Sequence, residues 1–243
     1  MIVLAIDTAT PQVGCALAGP DGPLGSIQVQ QGRRHAETLV PAIRTLCGYC
    51  GLDVRELGAI AVDVGPGLFT GLRVGLATAN ALSVALGVPM VGLSSLDVLV
   101  WPLRHSDRLV AAMIDARRGE VFWALHQRGA DGFHRVGEEA VGPPGDVVAA
   151  LEARGEVAIA IGDGARRHAE ALGHLAGVTV EWSGSAHPSP AVVAELAAPR
   201  LHTGAVAPPG TLGARYLRTA DVRINWEERD RPVGAGQAGP GPG

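Results

Sequence analysis

The chain contains no lysine: all 20 of its Lys and Arg positions are arginine. That absence removes a Schiff-base amine, a lysine general base and the lysine of a phosphate loop together. Aromatic residues are scarce as well, with three Phe, four Trp and two Tyr in 243 residues, too few for the stacking platforms that hold single-stranded nucleic acid. Positive charge is not in surplus. At a net charge of −4 there is no cationic surface expected to hold RNA unaided, because phosphate neutralisation needs clustered cations.

Three cysteines do not make a disulfide framework. Cys47 and Cys50 are spaced like a redox pair but end an apolar helical pattern, where no helix N-terminus lowers a thiol pKa; they are expected as core-facing or half-exposed thiols. The eight histidines contain no H-x-x-x-H or H-E-x-x-H pair, so no metal site is expected, and each is expected at the surface or at a cap. No G-x-S-x-G elbow occurs. No apolar run is expected to reach the roughly 18 residues of a membrane span, and no charged segment precedes the hydrophobic start, so a cytoplasmic location is expected.

What is present is an α/β pattern. Strands are expected over residues 2–6, 13–18, 24–29, 59–64 and 89–93, with helices over 35–50 and 71–86. A second start follows Trp101-Pro102. Residues 109–115, a tight turn and residues 120–125 repeat the layout of the first hairpin, which suggests a duplicated unit. Further strands are expected over 133–141 and 157–161, and helices over 144–153, 165–172 and 190–201. These readings divide the chain into an N-terminal lobe (1–104), a C-terminal lobe (105–212), a closing segment (213–226) and a charged, Gly/Pro-rich tail (227–243) expected to be disordered.

Two glycine-bearing turns raise the question of phosphate. Gly65-Pro66-Gly67-Leu68-Phe69-Thr70-Gly71 spaces its glycines as G-x-G-x-x-x-G, not as a dinucleotide fingerprint, and lacks the ending of a phosphate loop. Gly65 and Gly67 allow positive φ, Pro66 stiffens the turn and Thr70 is the expected N-cap. Asp7-Thr8-Ala9-Thr10 resembles the phosphate hairpin of the actin-like ATPases. Asp7, Thr8, Thr10, Gly65 and Gly67 are therefore the phosphate-facing candidates. The matching second-lobe elements, Asp115-Ala116-Arg117-Arg118-Gly119 and Gly162-Asp163-Gly164, put side chains where bare backbone would have to approach a phosphate.

The helix launched from the first turn is apolar or small nearly all the way round, so both sides need cover. Gly75, Ala79 and Ser83 form a small-residue ridge, and the earlier helix (36–47) also carries more apolar surface than one contact needs. Together they suggest a helix-pair surface for a protein partner, or for a second copy of the chain.

Residues 5–10, 34–41, 65–75, 92–96, 115–121 and Tyr216-Leu217-Arg218 resemble the TsaB (YeaZ) family, the dimerisation subunit of the bacterial tRNA threonylcarbamoyladenosine machinery. The usual serine before Phe69 is Leu68 here. The resemblance implies an actin-like (ASKHA) fold of two lobes, each a mixed sheet flanked by helices, with no catalysis and no cofactor of its own. It implies docking to a TsaD-like catalytic subunit, with a TsaE-like ATP-hydrolysing subunit at the junction, where nucleotide would also sit, and only indirect contact with tRNA. The metal-binding histidine pair of TsaD is replaced by Ser94-Ser95-Leu96-Asp97-Val98. Leu39, Ile43 and Leu46 with Leu72, Arg73, Leu76, Ala79 and Ser83 are the nominated partner contacts, Arg73 as a rim ion pair. The rival readings are a small-molecule kinase of the same superfamily and a metalloprotease-like protein.

Overall fold

The computed structural model describes residues 1–30, 34–182, 184 and 186–217. The tail (227–243), Arg218 and most of the closing segment lie outside the described residues. The N-lobe is built from β1 (Ile2–Asp7), β2 (Gln12–Gly19), β3 (Gly22–Gln30), α1 (His35–Tyr49), β4 (Leu57–Gly65), α2 (Phe69–Leu86) and β5 (Met90–Ser94). Its sheet runs β3-β2-β1-β4-β5, antiparallel through the opening meander and parallel from β1 to β4 to β5. After α3 (Ser95–Val100) the pattern repeats as β6 (Leu109–Arg117), β7 (Glu120–Gly129), β8 (Gly132–Gly142), α4 (Pro144–Arg154), β9 (Ala158–Ile161), α5 (Asp163–Arg167), α6 (Ala169–Gly173) and β10 (Val178–Val180). That sheet has the equivalent order β10-β9-β6-β7-β8. The expected duplication is present, as two mixed sheets flanked by helices in the actin-like arrangement.

Where the chain is buried on both faces the strands read as apolar runs, as Ile2 to Ile6 in β1 and Ala59 to Val62 in β4 do. One face of the N-lobe sheet is covered by Leu39, Ile43 and Leu46 of α1 and Leu76 and Ala79 of α2. The other face is covered by α7 (Pro190–Thr203) through Val193, Ala194 and Ala197. Residues 190–212 therefore belong with the first lobe, not the second, which corrects the expected boundary. The exchange is reciprocal. Leu96, Leu99 and Val100 of α3, from the first part of the chain, pack on the second sheet, and α3 and α7 touch each other between the two sheets.

Beyond α7 the chain returns along the N-lobe. Ala207 pairs with Met90 on the β5 edge, Asn80 donates to the Leu212 carbonyl (2.9 Å) and the Arg215 amide donates to the Val64 carbonyl (2.7 Å). The 18-residue α2 is long and apolar enough to cross a membrane, against the expectation of no such segment. Its apolarity has an internal use here, since Leu72, Leu76 and Ala79 face the sheet.

Candidate functional site

The two turns singled out for phosphate meet at the C-terminal ends of β1 and β4, and the protein's own backbone fills the space between them. Leu68 donates its amide to the Ala9 carbonyl (2.7 Å), and Thr8 donates its hydroxyl to the Gly71 carbonyl (2.8 Å). A Cβ on Gly67 would lie 2.3 Å from the Ala9 carbonyl oxygen, one on Gly71 2.1 Å from that of Thr8, and one on Gly75 2.3 Å from the Thr8 hydroxyl. Glycine is needed at Gly67 and Gly71 for close approach of backbone to backbone, and at Gly75 for close approach of the helix to the Thr8 side chain. Positive φ is required only at Gly65 (103°) and not at Gly67, which corrects the earlier expectation. The small-residue ridge of α2 also faces inward: Gly75 meets Thr8, and Ser83 donates to the Val88 carbonyl.

Thr70 is not the N-cap. Leu68 holds that position, with no side-chain cap, and α2 is anchored instead by the β1 turn. Asp7, Thr8 and Thr10 are all buried. His35, buried at the head of α1, donates to the Thr10 carbonyl (2.8 Å), and His126 and His187 are buried too; these three histidines depart from the surface expectation. The thiols behave as expected, with Cys47 buried and Cys50 intermediate. Cys15 is buried too and has its thiol pushed up to about 12, chiefly by desolvation.

The second lobe is closed in the same way. Cβ atoms on Gly162 and Gly164 would crowd the Met113–Ile114 backbone, so this turn packs closely against β6. Arg117 and Arg118 hold positive φ in the β6–β7 hairpin. The Asp115 carboxylate receives Arg117 (3.2 Å) and Arg167 (3.3 Å), while its amide donates to Asp163 (3.0 Å). Among the described residues no group of three His, Cys, Asp or Glu side chains is placed to hold a metal ion.

Between the lobes lies a charged lock that sequence reading missed, because its members are far apart in the chain. Arg135 is bound through two nitrogens to Asp97 (2.6 and 3.1 Å) and through a third to Glu139 (2.8 Å). Glu139 is fully enclosed and also receives the Ser94 hydroxyl (2.5 Å) and Arg215 (3.2 Å). His126 donates to Asp97 (2.9 Å). These partners outweigh burial and hold the Asp97 carboxyl below its ordinary value.

Of the eight nominated partner contacts, seven are core. Leu39, Ile43, Leu46, Leu72, Leu76, Ala79 and Ser83 are buried within the lone chain, so they complete the lobe and present nothing to a partner. Only Arg73 is outside, its guanidinium 3.6 Å over the Phe69 ring, which in turn meets Tyr216 at 5.3 Å. The open faces are the opposite ones. On α2 the residues four apart from Phe69 through Arg73, Ala77 and Ala81 to Ala85 are exposed, with Val84 beside them at 63%. On α1 the outer side carries Val40 and Tyr49.

A family model described as TsaD, tRNA N6-adenosine threonylcarbamoyltransferase, matches residues 27–185. Among curated proteins, the chain is 35% identical over 127 residues to the tRNA threonylcarbamoyladenosine biosynthesis protein TsaB of Bacillus subtilis, covering 52% of this chain and 56% of that one. It is 36% identical over 148 residues to the Escherichia coli protein of the same name, covering 59% and 63%. The matched stretch thus spans less than two thirds of either relative. Among solved structures, a Pseudomonas aeruginosa protein described as similar to peptidase YeaZ superposes with a TM-score of 0.77 at 29% identity, covering 89% of this chain and 99% of that one. By family model, named relatives and fold together, the chain belongs to the TsaB (YeaZ) family.

Proposed function

We propose that the chain serves tRNA threonylcarbamoyladenosine formation as a non-catalytic subunit, docking a TsaD-like catalytic subunit through the outer faces of α1 and α2. The observation that carries this reading is the exposed apolar and small-residue stripe of α2, Phe69 to Ala85, beside Val40 and Tyr49 of α1. Contiguous apolar surface of this kind marks a protein interface, and alanine-sized residues four apart let a second helix approach closely. The match to the TsaD family model supports a partner of like architecture, whose equivalent helix pair would complete a bundle. The backbone-filled turns of both lobes favour a role without nucleotide chemistry in the isolated chain. A TsaE-like subunit and nucleotide belong in this reading at the junction of the two proteins, and tRNA is reached through the partner. Without TsaD the same stripe would pair with its own copy.

The test is co-purification with the TsaD-like subunit of the same organism. Ala77→Arg with Ala81→Arg should abolish the complex while leaving the melting temperature of the free chain unchanged. Undiminished complex would take α2 out of the interface. Calorimetry with Mg-ATP on the isolated chain should show no binding, whereas saturable micromolar heat would favour the kinase reading.

A further inference from the structure

Asp7 and Asp63 are in-register neighbours on adjacent parallel strands, one step beyond the Ile6–Val62 pair. Parallel neighbours lie about 4.8 Å apart with side chains on the same face. Both side chains are enclosed, at 0% and 1% exposure. Each has one oxygen fully engaged. Asp7 Oδ1 accepts the Ala9 amide (3.0 Å), and Asp63 Oδ1 accepts the Gly65 amide (2.8 Å) and the Ser95 hydroxyl (2.5 Å). The other oxygen of each, Asp7 Oδ2 and Asp63 Oδ2, is buried and has no donor among the described residues.

Charge compensation must come from somewhere, because two adjoining buried carboxylates cannot both stay ionised. At the end of β6 lies Asp115 and just past the end of β9 lies Asp163, the first residue of α5, and there Arg117 and Arg167 meet the Asp115 charge. Among the described residues no such cation is paired with Asp7 or Asp63 in the first lobe. Arg135 and Arg215 are bound to Glu139, whose own negative charge reaches Asp63, and His35 from α1 is committed to the Thr10 carbonyl.

We propose that Asp7 and Asp63 share one proton, held between their Oδ2 atoms, and that this hydrogen bond latches the 7–10 turn, the Gly65–Gly67 turn and the head of α3 together beneath the start of α2. Burial first and then the Asp63 charge raise Asp7 well above the ordinary carboxylate range, while burial raises Asp63 to about 6 against the hydrogen bonds from Ser95, Gly65 and Asp7 that lower it. The pair therefore carries one proton at neutral pH, on Asp7, while Asp63 is the acceptor.

The direct test is infrared difference spectroscopy of the full chain with 13C-labelled aspartate at about pH 7. An isotope-sensitive protonated-carboxyl band is expected in the wild type and should vanish in Asp7→Asn. No such band in the wild type, or a band that persists in Asp7→Asn, overturns the proposal. The introduced amide would keep the Ala9 contact with its oxygen and direct its own N–H at Asp63. The melting temperature of the Asp7→Asn variant relative to wild type should therefore rise by about 3–5 °C for each pH unit above about 6, the signature of one proton no longer taken up on folding. A difference that stays constant with pH overturns the shared proton even if both proteins fold well. If Asp7→Asn fails to fold, the wild-type band and its loss in Asp63→Asn decide.

Discussion

Gly71 and Gly145 are both helical glycines with opposite meanings. A Cβ at Gly71 would stand 2.1 Å from the Thr8 carbonyl oxygen, whereas one at Gly145 would meet nothing within 4 Å. Gly71→Ala should destabilise by about 1–3 kcal/mol, because the obstruction is backbone and cannot step aside. Gly145→Ala should stabilise by about 0.4–1 kcal/mol by restricting the unfolded chain. Denaturant titration of the two variants checks both signs. The glycine-rich turn was conspicuous in the sequence, but its purpose was not, since the atoms that demand a bare backbone, the carbonyls of Thr8 and Ala9, lie some sixty positions earlier in the chain. Thr70 shows the same limit from the other side. A hydroxyl at a helix start is a sound reason to expect a cap, yet the start of α2 is fixed from outside by the β1 turn.

At the scale of the element, the ranges of α1 and α2 were legible within two residues, and the faces of α2 were not. A helix apolar all round has no polar side to mark the exterior, so its inner and outer rows look alike in sequence. Packing decides: Leu72 is fully enclosed and Val84 is 63% exposed. Leu72→Ala should therefore cost about 2–5 kcal/mol, while Val84→Ala should stay within about 0.5 kcal/mol, both read from urea midpoints. The same reasoning explains why the nominated contacts on α1 turned out to be core. Large aliphatics such as Leu39 and Ile43 attract the eye in a sequence, while the outer row is assembled from small and mixed residues.

For the molecule as a whole, the duplicated sheet was legible because each lobe repeats the same local order of strands. The lock between the lobes was not, since Asp97, Arg135, Glu139 and Arg215 come from separate stretches of the chain. Arg135→Ala leaves the enclosed Glu139 and the half-buried Asp97 short of a countercharge and should cost about 3–5 kcal/mol. The linked pH effect has a definite sign. Asp97 is held below its ordinary value, so its contribution is present above about pH 4 and is lost as pH falls through the depressed folded value. Acid titrations of wild type and Arg135→Ala should accordingly converge below that point.

The exchanged helices have a consequence for synthesis. The sheet translated first is sealed on one face by α7, which is translated after both sheets, whereas the second sheet receives α3, already made. Maturation on the ribosome should run backwards relative to the gene. A nascent chain arrested just after β10 has emerged should resist protease over 95–182 while 1–94 is still cut, and release of the remaining residues, α7 among them, should protect the amino-terminal half in a single step.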